Sequence, residues 1–223
     1  MNYAIAIDGP AGAGKSTIAK ILAKELELIY VDTGALYRTI GYYVTSQGID
    51  MADKEAVVAA LPGLKVELGY VDGVQRVFAN GEDVSDLIRT PAISMAASAV
   101  SAIPAVRAYL LDTQRNIAAT HSVIMDGRDI GTVILPDAKV KIYLSASPES
   151  RAKRRYDELQ AKGDPATYEE VLADMIKRDY DDMHRVIAQL KQAEDAIPVD
   201  TSGETLEESV ARMKEIVYKK LAE

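Results

Sequence analysis

Gly9-Pro10-Ala11-Gly12-Ala13-Gly14-Lys15-Ser16-Thr17 fits G-x-x-x-x-G-K-[ST] and directly follows the apolar run Tyr3 to Ile7. Beyond it, Ile18, Ile21, Leu22 and Leu26 fall on one helical stripe. The order strand, glycine loop, helix gives the pattern a physical meaning. Glycines let successive backbone N–H groups converge on an anion, and the helix N-terminus adds the positive end of its dipole. Lys15 is long enough to reach β- and γ-phosphates, and the Ser16 hydroxyl can ligate Mg²⁺. A glycine-rich turn that merely opens a helix is the bland alternative, and the flanking strand and helix argue against it. Residues 9 to 17 read as a nucleotide-phosphate loop.

The rest of the composition narrows the class. With 223 residues, 48% of them apolar, the chain can build one sizeable α/β domain with a small excursion. It has no cysteine, which excludes disulfides, thiolate metal sites and a cysteine nucleophile. No apolar run nears 18 residues and Met1-Asn2 leads straight into the first strand, so a cytoplasmic protein without a membrane partner is expected. A net charge of −8 argues against a nucleic-acid-binding surface. Arginines therefore matter by position rather than by number.

Leu28 to Val31 reads as a second strand, ending in Asp32-Thr33-Gly34-Ala35-Leu36-Tyr37-Arg38. A hydroxyl, a phenol and a guanidinium then gather at a strand's C-terminal end, where open parallel sheets bind ligands. An N-cap at Thr33 with a half-buried Tyr37 and a solvated Arg38 accounts for the same residues equally well. From Pro62 to Asp83, alternating segments separated by Asp72-Gly73 and Asn80-Gly81 predict a small antiparallel meander inserted into a βα-patterned chain. It carries little apolar mass and must lean on the main body. Thr90-Pro91 predicts a helix start. Pro104 opens another helix with Val106, Leu110, Leu111 and Ile117 as its expected core stripe.

Ser122 to Met125 is a buried-strand run ending in Asp126-Gly127-Arg128-Asp129-Ile130-Gly131. Two carboxylates and an arginine flanked by glycines suit a place where Mg²⁺ and phosphate meet, with Asp126 a candidate ligand beside Ser16; loop ion pairs are the alternative. After the cap Ser147-Pro148, Arg151, Arg154 and Arg155 share one helical face, which calls for an anion or for Glu158 to neutralise them. Thr167 with Glu170 forms a capping box for a long helix on which Arg178, Asp182 and Arg185 share a face. Two arginine-bearing helices joined by a Gly/Asp/Pro loop suit a lid. A short strand at Ile197 to Val199 and a helix from Thr205 close the chain. His121 and His184 share no ligand-like spacing and read as surface residues.

A phosphate loop with arginines at sheet edges and on a lid implies two phosphate-bearing ligands and a kinase that excludes water. Together, Gly9 to Thr17, Asp32 to Arg38, Asp126 to Gly131, Arg178-Asp-x-x-Asp182-x-x-Arg185 and the meander resemble the bacterial cytidylate kinases over essentially the whole chain. The resemblance implies a doubly wound parallel sheet of P-loop type with a small antiparallel insert and a helical lid. It implies a core at 1–32, 120–150 and 190–223, an acceptor-nucleotide region at about 33–119 and a lid at about 151–168. It implies ATP and Mg²⁺ with CMP or dCMP in an in-line phosphoryl transfer. An acceptor phosphate monoester, with a second pKa of about 6, needs no general base, and the lack of a broad apolar stripe in the sequence points to a monomer.

Residue by residue, the resemblance places Ser98, Arg107 and Asp129 at the cytosine, and Thr33, Tyr37, Arg38, Arg128 and Arg185 around the acceptor and its phosphate. Arg178 and Asp182 hold the ribose, and Arg154 and Arg155 bracket the ATP phosphates beside Lys15. Aspartate accepting from the exocyclic amine and arginine donating to ring acceptors suit cytosine. Two departures stand out: Thr33 replaces the family's usual serine, and Gln189-Leu190 stands where Pro-Leu is common. The long helix is therefore expected to run on through Gln189. The alternatives are another small-molecule P-loop kinase, for a different nucleotide or of shikimate type, and a nucleotide-dependent switch. A guanine-reading switch would carry N-K-x-D, and no Asn-Lys pair occurs.

Overall fold

The first apolar run forms β1 (Ala4–Asp8) in a computed structural model that describes residues 2–71 and 74–223. The chain continues through α1 (Lys15–Glu25), β2 (Ile29–Asp32), α2 (Thr33–Ser46), α3 (Lys54–Ala60), β3 (Val66–Val71) and β4 (Val74–Ala79). Then come β5 (Glu82–Asp83), α4 (Pro91–Ser101), α5 (Pro104–Thr120), β6 (Val123–Gly127), β7 (Val140–Ser145) and α6 (Pro148–Gln160). α7 (Tyr168–His184), β8 (Ile197–Asp200) and α8 (Leu206–Ala222) complete it. Met1–Tyr30 with Thr120–Glu223 make one compact unit, and Val31–Ala119 make a second.

The main sheet has the order β2-β6-β1-β7-β8. β1 pairs in parallel with β6 and β7, and β7 in parallel with β8. The central strands are apolar along their length because both faces of a parallel sheet are covered. Ile18 and Leu22 of α1, with Met213 and Val217 of α8, share a buried cluster with Ile5, Ile7, Ile124 and Leu144. Each large aliphatic side chain so buried contributes roughly 1.5–3 kcal/mol. Pro198 sits in β8, an edge strand, where a missing N–H breaks no ladder.

In the second unit, Leu36, Ile40 and Val44 of α2 pack in one cluster with Val100, Val106 and Leu110. The meander is present as the antiparallel sheet β3-β4-β5, and its Val66, Val77 and Ala79 join that same cluster. The insert thus leans on α2. Asn80 and Gly81 both take positive φ, as the tight β4–β5 turn demands. The Asp72-Gly73 turn lies outside the described residues. α5 differs from expectation in its stripe: Val106, Leu110 and Gln114 are buried, whereas Leu111 and Ile117 are only partly so. Among the described residues no single helix is long and apolar enough to cross a membrane.

α7 also departs from the sequence reading. It ends at His184 and does not run through Gln189. Arg185 leaves the helix in an extended conformation, and its Nε donates to the Ala188 carbonyl at 2.5 Å. Ala188 takes a positive φ, and the Leu190 N–H turns back to the Asp182 carbonyl at 2.8 Å. Leu190 is thereby buried, which the helical continuation is not needed to achieve. A helix break here needs no proline.

Candidate active site

The phosphate loop leaves the C-terminal end of β1 through Gly9, whose φ of 152° and tight surroundings admit no side chain. A Cβ at Gly9 would lie 1.9 Å from the Leu144 carbonyl oxygen. Gly14 caps α1 with no side-chain hydrogen bond, leaving the helix N-terminus without a side chain of its own over it. Lys15 is buried, and its ammonium donates to the Pro10 carbonyl at 2.7 Å. Burial first, and then the charge of Arg128, pull its pKa down to about 7.

Behind the loop, Ser16 Oγ donates to Asp126 Oδ2 at 2.9 Å, and Tyr30 donates its hydroxyl to Asp126 Oδ1 at 2.7 Å. Ser16 and Asp126 form an all-oxygen pair of the hard type that Mg²⁺ takes, with room in the coordination number for phosphates and water. They fit that ion. Among the described residues no group of three or more His, Cys, Asp or Glu side chains forms a separate metal centre.

Asp8, at the end of β1, accepts from Ile130 N–H and Gly131 N–H at 2.7 Å each. It thereby ties the phosphate loop's root to the π-helical turn Ile130–Ile134, directly after Arg128 and Asp129. Burial raises the Asp8 pKa to about 6, against the lowering effect of those two backbone bonds.

Arg128 does not pair within its own loop. Its Nε donates to Asp182 Oδ2 on α7 at 2.8 Å, and Arg185 Nη1 lies 3.6 Å from Asp182 Oδ1. Burial would push the Asp182 carboxyl up, but Arg128, Arg185 and Arg178 outweigh it and hold the pKa below the usual carboxylate range. The structure thus groups Arg128, Arg178, Asp182 and Arg185 electrostatically. Asp129 is buried beside them in sequence, only 3% exposed.

The three arginines of α6 separate. Arg151 is 2% exposed and does not face an incoming anion. Its guanidinium donates to Ala146 O at 2.8 Å, to Ala11 O of the phosphate loop at 2.9 Å, and in a forked pair to Asp179 of α7. Arg154 donates to the Thr201 carbonyl at 2.9 Å, and Arg155 pairs with Glu158 at 3.2 Å. Breaking a buried pair strands a charge, so Arg151→Ala is expected to cost about 3–5 kcal/mol of stability. Thermal and urea unfolding check this, and a loss below about 1 kcal/mol, the median for exposed pairs, would deny the brace.

In the second unit the N-cap of α2 is Asp32, not Thr33: Asp32 Oδ1 accepts from Ala35 N–H at 2.9 Å. Thr33 follows as a buried first-turn residue. Asp32 Oδ2 holds Arg38 Nη2 at 2.7 Å, so Arg38 is not simply solvated. Gly34 makes this fold-back possible, since a Cβ there would meet Arg38 Nη1 at 3.0 Å. The Arg107 guanidinium lies 5.4 Å from the Tyr37 ring centre, a cation–π distance. Ser98 is half-buried on α4. His121 and His184 are exposed, as their spacing implies.

Sequence reasoning missed Tyr30 and Asp8. Tyr30 lies inside the short strand β2 and belongs to no motif, and only the β2-to-β6 neighbourhood reveals its bond to Asp126. Asp8 directly precedes the glycine loop, and its position was the available signal.

A phosphate loop at the end of the central strand of a parallel sheet, with a buried lysine and a Ser–Asp oxygen pair, defines a P-loop nucleotide-binding α/β protein. In fold it is similar to the crystal structure of an uncharacterised protein from Eubacterium ventriosum, with a TM-score of 0.50 and 12% identity over 96% of this chain and 97% of that one. The family model for cytidylate kinase matches residues 5–219. A cytidylate kinase from Carboxydothermus hydrogenoformans is 49% identical over 216 residues, 97% of each chain. One from Lactobacillus johnsonii is 47% identical over 222 residues, 99% of this chain and 96% of the relative. The chain belongs to the cytidylate kinase family and is a nucleoside monophosphate kinase.

Proposed function

We propose that this enzyme transfers the γ-phosphoryl group of ATP in line to CMP and dCMP, giving CDP and dCDP. One observation carries the reading beyond the family match: Lys15 is buried at the first position of α1 with its ammonium on a neutral group, the Pro10 carbonyl, at 2.7 Å. A buried cation at a helix N-terminus is relieved by an anion, and a transferring phosphoryl group is one.

In this scheme Gly9, Pro10, Ala11, Gly12, Ala13, Gly14, Lys15, Ser16 and Thr17 hold the ATP phosphates. Ser16 and Asp126 would hold Mg²⁺, which when bound would supply positive charge to neutralise the phosphates. The acceptor is a phosphate monoester with a second pKa of about 6, so its oxygen is anionic at neutral pH and needs no general base. Arg128 and Arg185 orient that phosphate, with Thr33, Tyr37 and Arg38 of the second unit. Arg178 and Asp182 take the ribose. Ser98, Arg107 and Asp129 take the cytosine. Arg154 and Arg155 exchange their present partners for the transferring group; for Arg155 this sacrifices an exposed pair worth only about 0.3–0.5 kcal/mol.

The division of labour we propose assigns the core to 1–32, 120–150 and 190–223, the acceptor region to about 33–119 and the lid to about 151–168. The enzyme is proposed to act as a cytoplasmic monomer on free nucleotides, without nucleic-acid or membrane partners. Coupled assays with ATP and each nucleoside monophosphate test the substrate; a preference for AMP or UMP over CMP overturns it. Asp129→Ala is expected to raise KM for CMP about 10-fold or more, the worth of a hydrogen bond to a charged group, with KM for ATP little changed. An equal rise in both would remove Asp129 from base recognition.

A further inference from the structure

The sheet of β3, β4 and β5 carries none of the residues assigned above to phosphate, ribose or base. Gln75, half-buried on β4, nevertheless reaches the backbone of Asp32 across 43 positions of sequence. Its Oε1 accepts from Asp32 N–H at 2.8 Å, and its Nε2 faces the carbonyl oxygen of the same residue at 3.5 Å. Asp32 ends β2, an outer strand of the main sheet, where main-chain groups on the open side lack a neighbouring strand. A carboxamide offers one acceptor and one donor side by side, and so takes the place of such a neighbour.

What this bond fixes is not β2 alone. The Asp32 carboxylate caps α2 through Ala35 N–H and holds Arg38 Nη2, while Thr33 is the next residue. Arg38 Nε is buried and makes no hydrogen bond, so one edge of its guanidinium keeps a donor unspent. The backbone of Asp32 therefore sets the direction of a carboxylate, and the carboxylate sets the direction of that guanidinium. The Gln75 backbone is held independently by its pairing with Tyr70 in the β3–β4 ladder. The side-chain amide is thus not required to keep the sheet together.

We propose that Gln75 is a positioning residue for the acceptor phosphate: it clamps Asp32 and through it aims Arg38 and Thr33. This rests on the acceptor-site role proposed for Arg38. It gives the inserted sheet a task in the affinity for the acceptor nucleotide and none in the handling of ATP.

The test compares Gln75→Ala and Gln75→Met, methionine keeping the length and volume while removing the amide. Both are expected to raise KM for CMP about fivefold, the worth of one neutral hydrogen bond, with KM for ATP unchanged and the melting temperature lowered by no more than about 2–4 °C. Hydrogen exchange at the Asp32 amide is expected to accelerate in both. If Gln75→Met behaves as wild type, the side chain acts by packing and the proposal is overturned. A parallel rise in both KM values with a lowered melting temperature also overturns it. Arg38→Ala separates this proposal from the reading beneath it. If Arg38→Ala raises KM for CMP and the Gln75 variants do not, only the role of Gln75 falls. If Arg38→Ala leaves KM for CMP unchanged, the acceptor-site assignment falls and the role of Gln75 with it.

Discussion

Lys15→Ala is expected to lower kcat/KM by at least about 10³-fold while leaving the protein folded, since a preorganised charge on the transferring phosphoryl group is worth several kcal/mol. Its folded structure has little to lose. Lys15 is the first residue of α1, and its ammonium donates to the Pro10 carbonyl of the same loop. Burial and Arg128 already disfavour its charged form, so removing the ammonium relieves a cost in the ligand-free protein. Alanine also suits a helix position better than lysine, by a small margin. Circular dichroism and thermal unfolding check the fold, and a coupled assay checks turnover. Near-normal activity would refute the role of the phosphate loop.

Arg185→Ala ranks second, with an expected fall in kcat of about 10²–10³-fold and a KM for ATP close to wild type. Arg185 stands just past the last turn of α7, with its side chain only 8% exposed. It shares Asp182 with Arg128, so its removal shifts the balance around the carboxylate that both arginines face. Its Nε also holds the Ala188 carbonyl, and a melting curve must accompany the kinetics. Arg185→Lys separates the two contributions: it keeps the charge but loses the planar fork that grips two oxygens at once. Partial recovery of kcat by lysine with a wild-type melting temperature supports a role in charge stabilisation. An unchanged kcat in the alanine variant would reduce Arg185 to a structural contact.

Much of this was legible locally. Gly9 to Thr17 reads as a phosphate loop because its glycines, lysine and hydroxyl must be consecutive to wrap one anion. The caps at Thr90, Ser147, Thr167 and Thr205 each accept the backbone N–H three residues on, a bond between chain neighbours. The Asn80-Gly81 turn is equally local, being set by two positive φ angles. Where reading failed, the deciding contact was distant. Arg151 has the same helical spacing as Arg154 and Arg155, yet its partners are Ala11, Ala146 and Asp179. Asp182 keeps its helix-end neighbour Arg185 at 3.6 Å, as their shared face suggests, but it also takes a hydrogen bond from Arg128, 54 residues away, which no local spacing reveals.

The sequence by itself determined the strand–loop–helix at the phosphate site, the alternation of parallel strands with helices, and the antiparallel insert. Those features follow from periodicity and from backbone conformations that a few adjacent residues enforce. Only the tertiary structure decided which arginine is buried as a brace, where α7 stops, and that Tyr30, Asp8 and Gln75 stand behind the residues of the motifs. A charged or amide side chain takes its role from whichever group fills its hydrogen bonds, and for Arg128, Asp8 and Gln75 those groups lie tens of residues away in sequence.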